Sequence, residues 1–248
     1  MTLQEFFREQ HAVALAFSGG VDSAYLLYAA RQYGAKVTAY YVKTPFQPQF
    51  EYEDAVKLAA ELDAEMKTIH LDVLQDETIT CNPANRCYYC KKRIFSAILD
   101  AAKADGFSLI IDGTNASDDA SDRPGMVALR ELQVRSPLRE AGLTKAEIRH
   151  LSKEAGLFTH DKPAYACLAT RIPTGTAITQ EHLTKTETCE EYLKNMGFSD
   201  FRIRYFGGAA RLQLPAAQIP ALFEKRAEIL AFLKQHYPAV LLDMEVRK

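Results

Sequence analysis

The segment Ser18-Gly19-Gly20-Val21-Asp22-Ser23 has the composition of an anion-binding loop. Its two glycines allow the backbone to approach a ligand closely, and its hydroxyl groups can hold phosphate oxygens. The string differs from both GxxxxGK[ST] and GxGxxG, the two most familiar nucleotide-binding loops. A structural turn between a strand and a helix is the alternative interpretation, but the complete string at the start of a helix favours a phosphate site.

The five cysteines are the other residues with a chemical signature. Cys87 and Cys90 form a CxxC pair, the spacing at which two thiolates can share zinc, copper(I) or an iron–sulfur centre. A thioredoxin-like redox pair is the alternative, although that motif follows a first strand. Cys167 stands alone in an alanine-rich segment, where a small buried hydrophobe is the ordinary role. Cys81 and Cys189 have no motif around them and are assigned to packing or to exposed thiols, with Cys81 as a minor candidate for an additional ligand.

Hydrophobic periodicity predicts the elements that must position these residues. Strands are expected at 12–17, 36–42, 66–71 and 108–111, and helices at 22–33, 52–62, 91–103 and 144–155. A capping box of Thr144 and Glu147 begins the last of these helices. Such alternation predicts an α/β fold, with a parallel sheet and helices on both faces. The glycine loop then connects the first strand to the first helix.

Past residue 171 the pattern changes to that of a small α+β domain. Helices are expected at 181–196 and 217–234, strands at 201–205, 211–214 and 240–246, and a hairpin turn at Gly207-Gly208. The stretch Ile172-Pro173-Thr174-Gly175 is the predicted linker. We therefore predict one domain over 1–171 and a second over 172–248, a division that a chain of 248 residues accommodates.

The glycine loop resembles the pyrophosphate-binding loop of the N-type ATP pyrophosphatases, the PP-loop superfamily. The segment Asp112-Gly113-Thr114-Asn115-Ala116-Ser117-Asp118, and the stretches 136–138 and 142–145, resemble further elements of that superfamily. This implies a Rossmann-like domain of the adenine nucleotide alpha hydrolase type, which cleaves ATP to AMP and pyrophosphate with Mg²⁺. The ATP-binding residues that the resemblance implies are Ser18, Gly19, Gly20, Asp22, Ser23, Gly113, Thr114 and Asn115. Asp22 or Asp118 would hold Mg²⁺, and a helix cap is the equal alternative for Asp22.

The segments around the cysteines narrow the resemblance. Arg86-Cys87-Tyr88-Tyr89-Cys90-Lys91-Lys92 and the string PAYACLATRIPTG at 163–175 are similar to those of the LarE family, as is Phe201-Arg202-Ile203-Arg204. LarE proteins are ATP-dependent sulfurtransferases that build the pincer ligand of the nickel cofactor of lactate racemase. In one branch a lone cysteine gives up its own sulfur, and in the other three cysteines hold a [4Fe-4S] cluster that carries an additional sulfide. Cys87, Cys90 and Cys167 fit the second branch and are the implied catalytic residues and cluster ligands.

The same resemblance implies a substrate, a pyridinium biscarboxylic acid mononucleotide whose carboxylates are activated as acyl-adenylates and then thiolated. The substrate phosphate needs cations, and Lys92, Arg202 and Arg204 occupy positions that match basic residues of the family. A solvated surface charge is the alternative for each of the three. Arg202 and Arg204 are two residues apart, so on a strand both side chains point to one face. No motif in the sequence identifies the sulfur donor.

The net charge of the chain indicates which class of partner to expect. The formal net charge is −2, and the residues from 172 onward contain ten Lys and Arg against nine Asp and Glu. Neither domain is therefore a basic nucleic-acid module, which disfavours the closest alternative function, a [4Fe-4S]-dependent tRNA thiolase. A zinc-stabilised nucleotide-binding module is a third interpretation.

The longest apolar run, 24–30, is too short for a membrane span and no secretory signal is evident, so we expect a cytoplasmic protein with reduced thiols. A homo-oligomeric state is also expected.

Overall fold

The computed structural model describes residues 1–118 and 124–247. Along the chain the elements follow in the order α1 (Leu3–Glu9), β1 (Ala12–Ala16), α2 (Val21–Gln32), β2 (Lys36–Lys43), α3 (Gln49–Glu61), β3 (Glu65–His70), α4 (Glu77–Thr80), α5 (Arg86–Ala104), β4 (Ile110–Asp112), α6 (Pro124–Glu131), α7 (Pro137–Glu140), α8 (Lys145–Glu154), α9 (Gln180–Asn195), β5 (Arg202–Phe206), β6 (Ala209–Gln213), α10 (Ile219–Glu224), α11 (Arg226–Leu233) and β7 (Val240–Leu242). In the part of the chain described, no helix is both long enough and apolar enough to cross a membrane.

The chain divides into two compact units. Met1–Val73 and Asn85–Lys162 form the first unit, and Leu74–Ala84 joins the residues from Pro163 onward in the second. The residues 163–171 thus group with the second unit, whereas the predicted division lies at residue 171. The two predicted domains stay a prediction, because compactness alone does not establish that either part folds independently.

A parallel sheet with the strand order β3-β2-β1-β4 forms the centre of the first unit. Val13, Ala14 and Leu15 of β1 are fully buried, as a strand covered on both faces of a parallel sheet must be. The chain runs from β1 outward through β2 and β3, then returns to place β4 on the other side of β1. Ligands bind in α/β sheets where the strand order reverses in this way, at the carboxyl ends of the strands. The predicted α/β class is confirmed, and the ends of β1 and β4 are where a ligand is expected.

Helix α2 is held against this sheet by apolar contacts. Its residues Val21, Ala24 and Leu27 belong to one buried cluster with Leu15 of β1 and Ile148 of α8. Burial of such side chains stabilises a fold by about 1.5–3 kcal/mol each for the larger aliphatic ones. The packing fixes where α2 begins, and therefore fixes the loop between β1 and α2.

A three-stranded sheet with the order β5-β6-β7 forms the second unit together with α9. Strands β5 and β6 are antiparallel, and the turn between them is Gly207-Gly208, both with positive φ, as the sequence predicts. Leu193 of α9 packs with Ile203 and Leu212 of the sheet in a separate buried cluster. The predicted α+β class of this unit is confirmed.

Asn82 ties the early segment Leu74–Ala84 into the second unit. The residue is buried and adopts a left-handed conformation with φ 56°. Its Nδ2 donates to the carbonyl oxygens of Pro173 at 2.8 Å and Thr176 at 3.1 Å, while its backbone carbonyl oxygen accepts from the N–H of Gly175 at 2.9 Å. A buried amide with these partners resists displacement, since each broken hydrogen bond would leave a polar group unsatisfied.

Three predicted elements differ from the structure more than the others do. Helix α5 begins at Arg86, five residues before the predicted start, because the polar first turn hides the helical period. The helix predicted over 217–234 is two helices that meet at Lys225, whose Nζ donates to the carbonyl oxygen of Met196 at 2.8 Å. Strand β7 is shorter than predicted, and pairing resumes only at the isolated bridge between Pro215 and Arg247.

Candidate active site

The glycine loop is closed by its two serines. The Ser18 and Ser23 hydroxyl oxygens are 3.0 Å apart, and Ser23 Oγ also donates to the carbonyl oxygen of Gly20 at 3.2 Å. Gly20 is the N-cap of α2 and, as a glycine, makes no side-chain hydrogen bond to the helix start. The first N–H groups of this helix of 12 residues are therefore available to an anion, and the helix dipole favours negative charge there.

Gly19 and Gly113 are glycines because neighbouring atoms leave no room for a side chain. Gly19 has φ +71°, and a Cβ at this position would lie 2.9 Å from Cβ of Ala55. A Cβ on Gly113, just after β4, would lie 2.9 Å from the backbone nitrogen of Ser23. The end of β4 thus packs directly on the first turn of α2. The fold brings together the two segments that the sequence assigns to ATP.

Asp112 organises the end of β4 from inside. Its carboxylate is buried and accepts from the hydroxyl groups of Thr114 at 2.5 Å and Ser136 at 2.6 Å. The Thr114 hydroxyl therefore points to Asp112, and its predicted contact with ATP stays a prediction. Sequence reasoning quoted Asp112 and Ser136 within their motifs without giving them roles. A role for Asp112 could have been inferred from its position at the carboxyl end of a strand beside β1, where ligands bind in α/β sheets.

Asp22 lies in the first turn of α2 and is not its cap, which corrects that alternative. Its Oδ2 lies 2.5 Å from Nζ of Lys145, and its Oδ1 accepts from Nδ2 of Asn115 at 3.3 Å. Asp118 has a local partner, since its Oδ2 accepts from the N–H of Asn115 at 2.9 Å. Mg²⁺ binding by Asp22 or Asp118 stays a prediction. Lys145 has no role in the sequence analysis, although this residue ends one of the motifs noted there and pairs with Asp22 in the structure.

The capping box predicted for α8 is confirmed. Thr144 is the N-cap, its side chain accepts from the N–H of Glu147, and the Glu147 side chain accepts from the N–H of Thr144. The hydrogen bonds to Thr144 lower the pKa of Glu147. This arrangement fixes the first residue of α8, Lys145, next to Ser117, whose Oγ accepts from the Lys145 N–H at 3.0 Å.

The two cysteines of the CxxC motif lie in the first turns of α5, in the first unit. Cys87 is exposed and Cys90 is half-buried, and neither forms a disulfide bond. A spacing of three residues places them on one face of the helix. Cys167 belongs to the second unit, where it is half-buried directly before the short 3₁₀ helix Leu168–Arg171. Across the described ranges, no three His, Cys, Asp or Glu side chains are grouped so as to hold a metal ion.

The Cys167 segment is held by a buried ion pair of Arg171 and Glu190. Arg171 Nε and Nη2 donate to the two carboxylate oxygens of Glu190 at 2.8 and 3.0 Å, and Arg171 Nη1 donates to the carbonyl oxygen of Ala166 at 2.9 Å. Burial opposes the charge of Arg171, but the hydrogen bonds and the charge of Glu190 outweigh it and raise the pKa of Arg171. Tyr165 also donates its hydroxyl to Glu190, and burial followed by the Glu190 charge raises the pKa of Tyr165.

Arg202 and Arg204 of β5 contact the same segment. Arg202 is buried and Nη2 donates to the carbonyl oxygen of Ala164 at 2.7 Å, while Arg204 Nη1 donates to that of Thr170 at 2.9 Å. Burial, followed by repulsion from Arg171, lowers the pKa of both guanidinium groups. The side chains of Arg202 and Arg204 lie on one face of β5, as their spacing of two residues predicts. Binding of the substrate phosphate stays a prediction for both.

Lys92 lies in the first unit and has partners of its own. Its Nζ is 3.1 Å from the Tyr88 hydroxyl and 3.3 Å from Oε2 of Glu131, and Tyr88 donates to Glu131 at 2.8 Å. The hydrogen bond to Tyr88, followed by the one to Glu131, raises the pKa of Lys92. Its predicted contact with a substrate phosphate is not tested by these contacts.

The two remaining cysteines have the environments expected of them. Cys189 is fully buried in the core of the second unit, and burial raises the pKa of its thiol to about 12. Cys81 is exposed, and its Sγ lies 3.7 Å from the carbonyl oxygen of Thr78. A buried thiol kept protonated acts as a small hydrophobe, so of the two roles left open for Cys189, packing is the one that its environment favours.

Comparisons with known proteins bear on this site. The family model of the queuosine biosynthesis protein QueC matches residues 11–82, which contain the glycine loop. The uncharacterized protein slr1717 of Synechocystis sp. is 36% identical over 218 residues, 88% of this chain and 81% of that protein. The pyridinium-3,5-bisthiocarboxylic acid mononucleotide synthase of Lactiplantibacillus plantarum is 34% identical over 220 residues, 88% of this chain and 80% of the synthase.

A tRNA thiolase is a more distant relative. The tRNA-specific 2-thiouridylase MnmA 2 of Clostridium botulinum is 29% identical over 182 residues, which are 60% of this chain and 52% of that enzyme. The synthase, by contrast, aligns with most of both chains at higher identity. The chain therefore belongs to the family of that synthase, the LarE family of PP-loop, ATP-dependent sulfurtransferases.

Proposed function

We propose that this protein transfers sulfur to the carboxylates of a pyridinium biscarboxylic acid mononucleotide, in the biosynthesis of a nickel-pincer nucleotide. The observation that carries the proposal is the open start of α2 at the switch point of a parallel sheet, in a chain similar over 88% of its length to a synthase of the corresponding bisthiocarboxylic acid. The LarE branch of the superfamily is distinguished from the tRNA thiolases by the extent of this similarity.

The first step in the proposal is formation of an acyl-adenylate. A carboxylate is a poor electrophile, so an oxygen of the substrate carboxylate attacks the α-phosphorus of ATP, and the bond from that phosphorus to the bridging oxygen breaks. The departing pyrophosphate takes the electron pair and stays in the loop formed by Ser18, Gly19, Gly20 and Ser23. Fixed donors aimed at developing charge are the usual source of such catalysis, and Mg²⁺ held by Asp22 or Asp118 would add to them.

The second step needs a sulfur nucleophile. Cysteine thiolates are the usual ligands of an iron–sulfur cluster, and the proposal is supported by the types of Cys87, Cys90 and Cys167, which form no disulfide and are not fully buried. These three residues would hold a [4Fe-4S] cluster, which supplies a transferable sulfide when bound. The product of the transfer is a thiocarboxylate, and AMP is released.

Positive charge in the second unit suits the substrate phosphate. Within residues 1–118 and 124–247, the hydrogen bonds of Arg204 go to neutral acceptors, the carbonyl oxygen of Thr170 and Oε1 of Gln213. Its charge and several of its five donors therefore stay available to an anion. Arg202 contributes to the same face, and Lys92 is the corresponding candidate in the first unit.

The test is turnover with defined substrates. Anaerobically reconstituted protein should form AMP from ATP when the pyridinium biscarboxylic acid mononucleotide is present but not when tRNA is present, and mass spectrometry should detect the thiocarboxylate. Thiolated tRNA would instead establish the alternative function. A colourless protein that holds zinc after anaerobic reconstitution would refute the cluster and favour a zinc-stabilised module. The proposal includes a cytoplasmic location and a homo-oligomeric state, which fractionation and light scattering test.

The cluster assignment has its own test. The Cys167→Ala variant should lose both the cluster and sulfur transfer, whereas Cys81→Ala, at an exposed thiol, should retain both. Iron and acid-labile sulfide are measured in each reconstituted protein. Full turnover by the Cys167→Ala variant would contradict the assignment.

A further inference from the structure

A cavity of about 310 Å³ lies in the first unit, outside the segments assigned to ATP. Tyr25, Tyr28 and Tyr33 line it from α2 and the C-cap of that helix, and Glu154 lines it from the last turn of α8. Among the described residues that line the cavity, Glu154 is the one charged side chain. The walls therefore combine aromatic rings with a negative charge, in a space large enough for a small organic molecule.

The two helices that line the cavity run parallel to each other. At their starts, Nζ of Lys145 in α8 lies 2.5 Å from Oδ2 of Asp22 in α2. At their other ends, Tyr33 and Glu154 line the same cavity. A helix C-terminus is equivalent to about −0.5 elementary charge, so parallel packing brings two such ends together beside the Glu154 carboxylate. The potential in the cavity is therefore negative.

The basic residues near these helix ends do not fill the cavity. Arg31 in the last turn of α2 bonds to Asp63 at 3.0 Å, and Lys153 in the last turn of α8 is exposed and does not line the cavity. His150 Nε2 lies 3.4 Å from Oε1 of Glu154, but these side chains are 71% and 61% exposed. Such an exposed pair contributes little to stability, so Glu154 can turn toward a ligand at small cost.

The tyrosine rings suit a particular kind of cation. The ring centroids of Tyr25 and Tyr28 are 6.1 Å apart. Burial, followed by the charges of Tyr33, Tyr28 and Glu154, raises the pKa of Tyr25, so its phenol stays neutral. The face of an aromatic ring attracts a cation within about 6 Å, and methylated ammonium groups are recognised in this way. A metal ion such as Mg²⁺ or Ca²⁺ would instead require several oxygen ligands.

We propose that this cavity binds a small organic cation whose charge is spread over methyl groups or an aromatic ring. The rings of Tyr25, Tyr28 and Tyr33 contact the cation, and the Glu154 carboxylate balances its charge. The cavity is separated from the glycine loop by the length of α2, whose 12 residues span about 18 Å. The site is therefore distinct from the one that binds ATP, and it does not depend on the function proposed above.

The experiment compares tetramethylammonium with tert-butanol, a neutral molecule of nearly the same shape. Saturation-transfer NMR on the full chain at low ionic strength should show that tetramethylammonium binds about tenfold or more tightly than tert-butanol. Tyr33→Leu should weaken tetramethylammonium binding by about 2- to 30-fold, the range of a cation–π contact, whereas Tyr33→Phe keeps the ring face and should stay within about twofold. Glu154→Gln should weaken it by about two- to fivefold, and Glu191→Gln, at an exposed position of α9, should leave it unchanged.

A second measurement uses the unsubstituted protein, in case Tyr33→Leu folds poorly. Tetramethylammonium, but not tert-butanol, should slow the nitration of Tyr33 by tetranitromethane, as read by mass spectrometry, and should leave nitration of Tyr192 in the second unit unchanged. Equal binding of the two molecules, unchanged affinity in both Tyr33→Leu and Glu154→Gln, or equal nitration of Tyr33 with and without the cation would each overturn the proposal. A change of oligomeric state on adding the cation, followed by light scattering, would assign the cavity to a side chain of a second copy and overturn it too.

Discussion

Glu190 and Arg171 form a bidentate ion pair in the core of the second unit, with side chains that are 6% and 1% exposed. Such fork-to-fork pairing fixes both position and orientation. Glu190 also accepts from the N–H of Ile203 at 2.9 Å, which links the pair to β5. The backbone around Cys167 is thus held through Arg171 rather than by regular secondary structure. Cys167 is placed by long-range contacts within its own unit.

Removing Glu190 should therefore destabilise the second unit strongly. Glu190→Ala leaves a buried guanidinium without its partner, a change that costs about 3–5 kcal/mol in comparable pairs. Glu191→Ala, at an exposed position of the same helix, should stay within about 0.5 kcal/mol of the unsubstituted protein. Urea denaturation followed by circular dichroism measures both. Equal stability of the two variants would show that the ion pair of Glu190 and Arg171 makes no net contribution to the free energy of unfolding.

The contact between Gly19 and Ala55 makes a prediction about the loop. Gly19→Ala should be more harmful than Gly34→Ala, because both glycines have positive φ but a Cβ on Gly34 meets no atom within 4 Å. We expect an additional loss of about 1–3 kcal/mol for Gly19→Ala from overpacking, together with weaker ATP binding. The double variant with Ala55→Gly should recover part of both losses. If Gly19→Ala and Gly34→Ala lose the same stability and the same ATP affinity, the close approach to Ala55 does not require a glycine at position 19.

The buried thiol of Cys189 should make stability depend on pH in the alkaline range. Burial raises its pKa from an ordinary 9.0 to about 12, so between these values the unfolded chain loses a proton that the folded chain keeps. The unfolded state then binds fewer protons, and the free energy of unfolding falls as pH rises, by up to about 1.4 kcal/mol per pH unit. Below pH 9 the contribution is fully present.

Substitution of Cys189 isolates this contribution from those of the tyrosines. The slope of unfolding free energy against pH, measured from pH 9 to 11 with a thiol reductant, should be less negative for Cys189→Ser than for the unsubstituted protein. Cys81→Ser removes an exposed thiol and should leave the slope as it was. Parallel slopes for the two variants would argue against a protonated thiol in the core.

Elements formed by local patterns could be predicted from the sequence. Strand β1 and helix α2 follow from an apolar run and a helical period, and the capping box of Thr144 and Glu147 is legible because its partners are three residues apart. The sequence predicts a helix α5 that is too short, since the polar first turns that contain Cys87 and Cys90 have no apolar period.

Contacts between distant segments could not be predicted. Lys145 and Asp22 are 123 residues apart, and nothing in either neighbourhood indicates a pair. Glu190 looks like a solvated residue of an acidic helix, although its place between Cys189 and Leu193, both fully buried, was a signal that it faces the core. Sequence motifs thus located the loops that carry chemistry, while the charges that organise those loops became visible only in three dimensions.

A substitution of Arg204 tests whether its positive charge binds the substrate phosphate or its hydrogen bonds hold the Cys167 segment. Its guanidinium donates to the carbonyl oxygen of Thr170 and to Gln213, so Arg204→Gln removes a positive charge while retaining hydrogen-bonding capacity. We expect KM for the pyridinium mononucleotide to rise about tenfold or more, since a hydrogen-bonded charge pair with phosphate is lost. KM for the dephosphorylated nucleoside should change little. Lys92→Gln, assayed in parallel, determines whether the Lys92 that pairs with Glu131 shares this role. An equal rise for nucleotide and nucleoside would assign Arg204 to holding the Cys167 segment rather than to the phosphate.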